Sequence, residues 1–360
     1  MKILAIETSC DETAMAVVEC SGGLNSPAGG PHFKVLKNIV SSQIETHRPF
    51  GGVVPVLAKR EHEKNLPKVL EQIFSKSQIA KGEAEKIDAI AVTVGPGLEP
   101  ALWTGIDFTK ELAKKLKKPL LGANHLEGHL YSFLLTQKLQ KPNYKSQMTN
   151  AFPAVGLIVS GGHTILLLMN KLESWKKIGE TRDDAVGEAF DKVARMLGLP
   201  YPGGPEIEKI AKTGNPHAIE FPRPMIHHKN YDFSFAGLKT AVYYETRNKQ
   251  FTGKQKADLA ASFQEAAVDV LTRKTMRAVQ MFGAKSVILA GGVAANKALR
   301  TRLGKECKKL GKNFFVSDFK YSGDNAAMIA AAAYIRHLSA NGGSASAGKY
   351  RITAQPNLNL

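Results

Sequence analysis

The sequence predicts an α/β protein of two lobes that repeat one structural plan. Near the start, apolar runs flank a polar turn at Ser9 to Thr13, and a second pair of apolar runs flanks a Gly-rich turn in FPAVGLIVSGGHTILLLMN (152–170). Both patterns are typical of a β-hairpin with a buried face. Residues 136–150 lie between them, lack an apolar period and are predicted to form a linker. Because each half opens with a hairpin, we expect a duplicated fold with a cleft between two lobes.

In the first half, KILAIE and AMAVVE predict two strands whose connecting turn carries Asp11 and Glu12. The Gly/Pro/Ser-rich stretch 21–31 predicts a loop, and a further strand is expected around VLKNIVSSQ. A helical period then predicts a long helix from about Pro55 to Phe74. Strand AIAVTVG, helix LWTGIDFTKELAKKL, strand PLLGA and helix HLEGHLYSFLL complete the half.

The second half continues after its hairpin with strand KSVILA, a Gly-Gly turn and helix NKALRTRLGKECKKL. Strand NFFVSD and loop FKYSGD lead into the Ala-rich helix NAAMIAAAAYIRHL. The tail 339–360 has few apolar residues and is expected to be disordered. We therefore predict an N-terminal lobe over residues 1–140, joined by the C-terminal helix 324–338, and a C-terminal lobe over residues 151–323.

The composition is that of a globular protein, and its charge makes a polyanion a candidate partner. Of its 360 residues, 43% are hydrophobic and 22% are charged, and the formal net charge is +17. Lys and Arg gain affinity for phosphates by releasing counterions, which makes nucleic acid a candidate partner. Single basic runs, such as 110–119 and 300–312, are equally compatible with solvated helix faces.

Neither a disulfide framework nor a membrane segment is predicted. Cys10, Cys20 and Cys307 form no CxxC pair and leave one cysteine over, which argues against paired disulfides or a cysteine-based zinc site. The start of the chain lacks the apolar run of a signal peptide. The longest apolar stretch, 151–169, is interrupted by two glycines and a histidine. We therefore expect a cytoplasmic protein without a membrane role.

The motif NHLEGH places His125 and His129 four residues apart, on one face of a helix, where they can share a metal ion. Glu127 lies about 200° around that helix, so the HExxH arrangement of zinc proteases is excluded. Asp324 in YSGDNAAM is a third candidate ligand, and two histidines with one carboxylate suit Fe(II), or Zn(II). Two alternatives stay open: ordinary hydrogen bonds for the histidines, and a helix cap for Asp324 or Asn325.

Three glycine loops in the second half suggest a nucleotide site. They are SGGHT (160–164), YPGGPE (201–206) and AGGVAAN (290–296). Each alone is compatible with a simple turn. Together they favour a site where backbone N–H groups approach a phosphate or ribose without side-chain obstruction. The P-loop motif GxxxxGK[ST] and the dinucleotide motif GxGxxG are both absent from the sequence.

Six motifs between Lys2 and Leu338 together resemble the TsaD family of bacterial tRNA N6-adenosine threonylcarbamoyltransferases. In chain order they are NHLEGH, IVSGGHT, GEAFDKVARMLGLPYPGGP, DFSFAGLKTAV, AGGVAAN and SGDNAAM. The resemblance implies the duplicated actin and Hsp70-like ATPase (ASKHA) fold, with a nucleotide and metal cleft between two lobes. It also implies transfer of threonylcarbamoyl from threonylcarbamoyl-AMP to N6 of adenosine 37, in tRNAs that read codons beginning with A.

The resemblance also implies roles for individual residues. His125, His129 and Asp324 match the ligands of one divalent metal ion per chain, Fe2+ or Zn2+. Asp11 and Glu12 become candidates for proton handling or for positioning the tRNA adenine. The positions that match adenylate-binding residues are Ile158, Val159, Ser160, Gly161, Gly162, Asp191, Gly204 and Asn296, with Glu208 where relatives often carry Asp.

The chain departs from the family pattern at two positions. Val56 stands where GGVVPE has its glutamate, and Ala236 stands where DFSFSG has its second serine. Neither change affects a proposed metal ligand.

The partners implied by the resemblance are the anticodon arm of tRNA, a TsaC-type synthase that supplies the donor, a TsaB-like scaffold and a TsaE-like ATPase. Apolar stripes on the predicted helices 53–74 and 102–116 are where a scaffold would bind, unless they pack inside the lobe. Two other functions stay open: a non-catalytic scaffold paralogue of the same fold, and an ATP phosphotransferase of the sugar or acetate kinase type.

Overall fold

The computed structural model describes most of the chain: residues 1–24, 30–75, 82, 84–136, 150–341 and 350–360. Residues 25–29, 76–81, 83, 137–149 and 342–349 lie outside the described residues, and they include parts of the predicted loop, linker and tail. The chain forms two compact units. Unit 1 combines residues 1–150 with 317–360, and unit 2 comprises residues 151–316.

Within the described residues, unit 1 is built on a five-stranded sheet in the order β3-β2-β1-β4-β5. Its elements are β1 (Lys2–Glu7), β2 (Glu12–Ser21), β3 (His32–Ser42), α1 (Ile44–His47), α2 (Pro55–Ile73), β4 (Ala89–Gly95), α3 (Glu99–Leu116), β5 (Leu120–Asn124), α4 (His125–Tyr131) and, after unit 2, α10 (Ala326–Asn341).

Unit 2 is built on a five-stranded sheet in the order β10-β9-β6-β7-β8. Its elements are β6 (Ala154–Val159), β7 (Thr164–Lys171), β8 (Ser174–Glu180), α5 (Val186–Met196), α6 (Gly203–Ala211), α7 (Ala236–Thr246), α8 (Gly253–Met281), β9 (Ser286–Ala290), α9 (Lys297–Lys309) and β10 (Asn313–Val316).

The two sheets have the same topology. In unit 1, β2 pairs antiparallel with both β1 and β3, while β4 and then β5 add in parallel on the other side of β1. In unit 2, β7 pairs antiparallel with β6 and β8, while β9 and then β10 add in parallel beside β6. Equal strand order and equal directions confirm the predicted duplicated α/β fold.

The core of unit 1 packs the sheet against α2 and α3. Strand β4 is buried along its whole length, as expected for a parallel strand with neighbours on both sides. Helix α2 buries Ala58, His62, Leu66, Val69 and Ile73, which recur at intervals of three or four residues. The apolar stripe of α2 therefore packs inside unit 1.

The boundary between the two units lies earlier than the sequence predicted. Residues 317–323 belong to unit 1, not to the C-terminal lobe. Their 3-10 turn Phe319–Tyr321 packs against the 3-10 turn Ser132–Leu135, which directly follows α4. Contact with the α4 region, rather than position in the sequence, decides where this segment belongs.

Residues 350–360 form a C-terminal strap that packs on unit 1, and the prediction of a disordered tail is wrong for this segment. Tyr350, Ile352 and Leu358 pack against the apolar core of unit 1. Gly122 of β5 allows this approach, because a Cβ at this position would lie 3.0 Å from the Cβ of Tyr350 and 3.2 Å from Cδ1 of Ile352. The few apolar residues of the tail are thus enough to cover the surface beside β4 and β5.

Hydrogen bonds also hold the strap. Gln355 N donates to Val94 O (2.7 Å), Gly97 N donates to Pro356 O (3.2 Å) and Asn124 Nδ2 donates to Asn359 O (3.2 Å). The strap therefore reaches Asn124, the residue that precedes the histidine helix. None of the helices in the described part of the chain has the length and apolar character that crossing a bilayer requires.

Candidate metal centre and adenylate-binding loops

Helix α4 carries the two histidines, and its start is fixed by Asn124. The Asn124 Oδ1 accepts hydrogen bonds from Leu126 N (2.8 Å) and Glu127 N (3.3 Å), so the helix begins at His125. Gly128 lets α10 approach α4 closely, because a Cβ there would lie 3.0 Å from Cγ of Met328. The glycine in NHLEGH thus serves the packing of these two helices.

Asp324 precedes α10 and directs its carboxylate at the histidines. The Asn325 Oδ1 accepts a hydrogen bond from Met328 N (3.1 Å), which makes Asn325 the cap of α10. Asp324 Oδ1 lies 3.0 Å from His129 Nε2 and 3.6 Å from His125 Nε2. Of the two residues considered for capping, Asn325 caps and Asp324 joins the histidines.

The geometry of His125, His129 and Asp324 fits one divalent ion. One potential ligand atom from each residue lies within 4.8 Å of the other two. Atoms that each lie about 2.1 Å from one ion are about 3.0 to 3.4 Å apart. The ring nitrogens of His129 make no regular hydrogen bond among the described residues, although Nε2 faces Asp324 Oδ1 at 3.0 Å. A metal ion between a buried imidazole nitrogen and a carboxylate oxygen would satisfy both atoms.

The Nδ1 atom of His125, on the side of the ring away from Asp324, contacts two residues that the sequence analysis did not single out. Its Nδ1 lies 3.0 Å from Ser9 Oγ and 3.3 Å from Glu7 Oε2. A carboxylate at Nδ1 favours the tautomer that leaves Nε2 free for a metal. Burial lowers the pKa of His125, but the charges of Asp324 and Glu7 outweigh burial and raise it to about 9. A metal ion would replace the proton held there.

Glu7 is buried and accepts hydrogen bonds at both carboxylate oxygens. Besides His125, it accepts hydrogen bonds from Ser9 N (2.5 Å) and Thr93 Oγ1 (2.6 Å). The pKa of Glu7 is lowered, because contact with His125 outweighs burial, which acts in the opposite direction. The only signal for Glu7 in the sequence is an acidic residue at the end of a buried strand.

Glu127 points away from the histidines, as its spacing predicted. It is buried and forms an ion pair with Arg336, and the Tyr350 hydroxyl donates to its Oε1 at 2.7 Å. Arg336 also donates to the Tyr350 hydroxyl at 2.5 Å. Burial raises the pKa of Glu127 although Arg336 and Tyr350 oppose this. Glu127 therefore anchors α4 to α10 and to the strap, and is not placed as a protease base.

Asp11 and Glu12 lie where β1 turns into β2, within electrostatic reach of Asp324. Asp11 is buried and its backbone oxygen accepts a hydrogen bond from Gln43 N at 2.9 Å. Burial raises the pKa of Glu12 well above its usual range, and repulsion from Asp11 and Asp324 adds to this. The charge of Asp324, a candidate metal ligand, thus reaches Glu12, which follows Asp11 in the turn.

The SGGHT turn of unit 2 is closed by two hydrogen bonds. Ser160 N donates to His163 O (2.8 Å), and His163 N donates to Ser160 Oγ (3.1 Å). A Cβ added at Gly161 or Gly162 would meet nothing within 4 Å, so the space above both is open to a ligand. Gly187, by contrast, is needed for packing, because a Cβ there would lie 2.5 Å from Ser160 O.

The other positions predicted to bind the adenylate are buried residues of a strand or residues of the YPGGP turn. Ile158 and Val159 are fully buried strand residues, so their side chains support the SGG turn and do not line open space. Asp191 accepts a hydrogen bond from Gly203 N (2.7 Å) and thereby holds the YPGGP turn. A Cβ at Gly204 would meet nothing within 4 Å.

Glu208 and Asn296 meet at the start of α9. Glu208 Oε1 accepts a hydrogen bond from Lys297 N at 3.3 Å. Asn296 caps α9 by accepting from Leu299 N (3.0 Å), and its Nδ2 donates to Gln264 Oε1 (2.8 Å). Asn296 therefore has a structural role in addition to any contact with a ligand.

Both departures from the family pattern are compatible with the local structure. Asp183 accepts hydrogen bonds from Ser234 Oγ (2.5 Å), Phe235 N (2.8 Å) and Ala236 N (3.1 Å). The backbone of Ala236 thus makes its contact without a hydroxyl group. Val56 lies in the first turn of α2 with 59% of its surface exposed.

Replacing Gly161 with Val is expected to weaken adenylate binding at least about tenfold, or ~1.4 kcal/mol. The new side chain would occupy the open space above the SGG turn without a clash inside the fold. Titration calorimetry with AMP would measure the loss. Gly253→Val is the matched control, because Gly253 also borders open space and starts α8 of the same unit. Equal AMP affinity in Gly161→Val and the unchanged chain would refute the assignment.

Comparison with known proteins gives a consistent result across most of the chain. Residues 34–331 match a family model described as TsaD, tRNA N6-adenosine threonylcarbamoyltransferase. A protein of that description from Thermosipho melanesiensis is 48% identical over 360 residues, which is 100% of both chains. A further one from Clostridium botulinum (strain Kyoto / Type A2) is 44% identical over 362 residues, covering 100% of this chain and 98% of the relative.

Solved structures of distant sequence share the fold. A crystal structure of full-length HypF in a phosphate- and nucleotide-bound form aligns with a TM-score of 0.59 at 14% identity. The alignment covers 96% of this chain but only 47% of HypF, so this chain spans about half of that protein. HypF from T. kodakarensis aligns with a TM-score of 0.55 at 15% identity, over 95% of this chain and 48% of that one. At such identities the likeness concerns the fold alone.

Proposed function

We propose a function from one premise: the chain belongs to the TsaD family, the tRNA N6-adenosine threonylcarbamoyltransferases. It is a transferase of tRNA modification that places a threonylcarbamoyl group on N6 of an adenosine. The donor we propose is threonylcarbamoyl-AMP, and the acceptor is adenosine 37 in tRNAs that read codons beginning with A. The scaffold and phosphotransferase alternatives are not favoured, because relatives of this description match the whole chain.

The convergence of His125, His129 and Asp324 is the observation that carries the catalytic part of the proposal. A scaffold would not need two buried histidines whose Nε2 atoms face one carboxylate oxygen at 3.6 and 3.0 Å. We propose that these residues hold one Fe2+, with Zn2+ as the alternative, because two imidazoles and one carboxylate suit both ions. When bound, the ion supplies Lewis-acid polarisation or a template for the threonylcarbamoyl group.

In the proposed transfer, adenine N6 attacks the acyl carbon of the donor, a C–N bond forms, and the C–O bond to AMP breaks. The nitrogen loses a proton, and we propose Glu12 or Asp11 as the group that receives it. Burial and the charges of Asp11 and Asp324 raise the pKa of Glu12, which increases its affinity for a proton. The leaving AMP would be held by the open SGG and GGP turns.

The net charge of +17 supports tRNA as the polyanionic partner. Binding through Lys and Arg contacts to phosphates releases counterions, so affinity for tRNA should fall steeply as salt increases. We place this activity in the cytoplasm, where tRNA and a reducing environment coincide with three cysteines that form no disulfide among the described residues.

A groove on unit 1 is a candidate surface for a scaffold partner. The buried stripes of α2 and α3 pack inside the unit, but a groove of about 340 Å³ remains between the two helices. Among its lining residues are Lys59, Glu63, Trp103 and Phe108. A groove of mixed apolar and charged character is compatible with a reversible contact to a TsaB-like scaffold.

We expect the chain alone to transfer poorly and to need a TsaB-like scaffold and a TsaE-like ATPase for repeated turnover. No segment of the sequence resembles a synthase, so a TsaC-type enzyme must make the donor in the cell. The experiment supplies chemically made threonylcarbamoyl-AMP and unmodified tRNA, and follows multiple turnovers with and without the two partners. Full turnover by the lone chain would contradict the need for partners, and no product in either condition would contradict the transfer itself.

A further inference from the structure

A chain of hydrogen bonds between buried polar side chains contacts the turn that carries Asp11 and Glu12. It consists of His47, Gln43 and His62, which are at most 2% exposed. His47 belongs to α1 and His62 to α2, and Gln43 lies between β3 and α1. None of the three has a part in the metal centre or in the adenylate-binding loops, so their burial needs another explanation.

The partners of this His47–Gln43–His62 chain fix its direction. His62 Nε2 lies 2.9 Å from the carbonyl oxygen of Cys10, so this nitrogen must carry the hydrogen and donate it. His62 Nδ1 is then an acceptor, and it lies 2.8 Å from Thr13 Oγ1 and 3.3 Å from Gln43 Nε2. Both ring nitrogens of a neutral His62 are thereby satisfied.

The same reasoning applies to His47 at the other end. Val54 N donates to His47 Nδ1 at 3.3 Å, which makes Nδ1 an acceptor and Nε2 a donor. His47 Nε2 lies 3.1 Å from Gln43 Oε1, and Gln43 Nε2 also donates to Ala58 O at 3.4 Å. The hydrogen bonds therefore run in one direction, from Val54 N through His47 and Gln43 to His62, and from there to Cys10 O.

We propose that His47, Gln43 and His62 are positioning residues for the transfer, which hold the Asp11–Glu12 turn in its reactive conformation. The inference rests on the proposed function, because it assumes that Asp11 and Glu12 act at the reacting atoms. The contacts surround the turn: His62 binds the carbonyl of Cys10 and the side chain of Thr13, on either side of the two carboxylates. Gln43 N binds the carbonyl of Asp11.

The His47–Gln43–His62 chain also connects this turn to the segment that leads into α2. That segment carries Phe50 and Val56, whose surfaces are 60% and 59% exposed. Because Val54 N is the first donor of the chain, a shift of this exposed segment would alter the hydrogen bonds that reach Cys10. Buried polar chains of this kind specify one arrangement, since a broken link leaves a costly unpaired group.

His62→Phe is the variant that tests the inference most sharply. It keeps an aromatic ring and removes the donor to Cys10 O and the acceptor for Thr13. With metal-loaded protein, its TsaB-like and TsaE-like partners, unmodified tRNA and threonylcarbamoyl-AMP, we expect kcat to fall about 100-fold, the cost of a misplacement near 1 Å. The KM values for tRNA and donor should stay unchanged, and so should the bound metal. His62→Gln keeps a donor for Cys10 O and should recover much of the lost kcat.

Val69→Ala is the matched control, because Val69 is buried on the same helix but contacts the apolar core. It should lower the melting temperature while kcat stays at the wild-type value. Hydrogen exchange of the Gln43 amide, which donates to Asp11 O, should accelerate in His62→Phe and not in Val69→Ala. This readout needs no transfer activity, so it shows whether His62 holds the Asp11–Glu12 turn even if the proposed function fails.

Full kcat in His62→Phe, alongside wild-type transfer, would overturn the inference and leave the proposed function standing. Equal losses of kcat in His62→Phe and Val69→Ala would also overturn it, because the effect would then follow from stability alone. Absence of product with the wild-type protein would refute the proposed function. In that case unchanged Gln43 exchange would overturn the inference as well, and faster exchange would support it.

Discussion

Replacing both histidines of the metal centre, in His125→Ala/His129→Ala, is expected to reduce bound metal to background and to slow transfer about 1,000-fold. Two of the three ligands are lost, and Asp324 alone cannot retain the ion. A rate loss of this size corresponds to ~4 kcal/mol of transition-state stabilisation, within the several kcal/mol that a Lewis-acidic ion supplies. Elemental analysis and single-turnover transfer to tRNA measure the two effects.

The control for this variant is His227→Ala/His228→Ala, which removes two exposed histidines of unit 2. It should keep both metal content and rate. AMP affinity should be the same in both double variants, because the proposed adenylate-binding loops belong to unit 2. Unchanged metal content in His125→Ala/His129→Ala would contradict the assignment of these histidines as metal ligands.

Deleting the C-terminal strap, residues 350–360, is expected to destabilise unit 1 by on the order of 3 kcal/mol. The estimate takes Tyr350, Ile352 and Leu358 as half-buried, against about 1.5 to 3 kcal/mol for full burial of one large apolar side chain. For a unit of this size the loss corresponds to a melting temperature about 6 to 12 °C lower. Scanning calorimetry measures the shift.

Hydrogen exchange locates the effect of the deletion. Amides of β5 and α4 should exchange faster, since the strap hydrogen-bonds Asn124 and its Tyr350 contacts Glu127. Tyr350→Phe, which removes only the hydroxyl, should cost about 1 kcal/mol. Arg351→Ala changes an exposed residue of the strap and should have no effect. Identical melting and exchange after the deletion would show that the strap does not support unit 1.

Part of the fold could be predicted because its signal is local. Both hairpins are short apolar runs on either side of a polar turn, and they appear as β1 with β2 and β6 with β7. The spacing of His125 and His129 similarly fixes their common face once the segment is helical. The strap could not be predicted, because its scattered apolar residues gain meaning only from the surface beside β4 and β5 that they cover.

The centre shows the same division between local and distant information. His125 and His129 are four residues apart, but Glu7 contacts His125 across 118 residues. Its sequence signal is one acidic residue after an apolar run, which is indistinguishable from the end of an exposed strand. The direction of the His47–Gln43–His62 chain depends on which backbone groups each ring meets, and no spacing rule contains that information.

The most direct test of the account is nucleoside analysis by mass spectrometry of tRNA incubated with the metal-loaded protein, its partners and threonylcarbamoyl-AMP. A transcript with adenosine 37 and a matched transcript with guanosine at that position would be compared. We expect N6-threonylcarbamoyladenosine in the first transcript only, together with one AMP released per modified tRNA. Unmodified adenosine 37 after the protein has bound both metal and donor would contradict the central claim that this chain transfers the threonylcarbamoyl group.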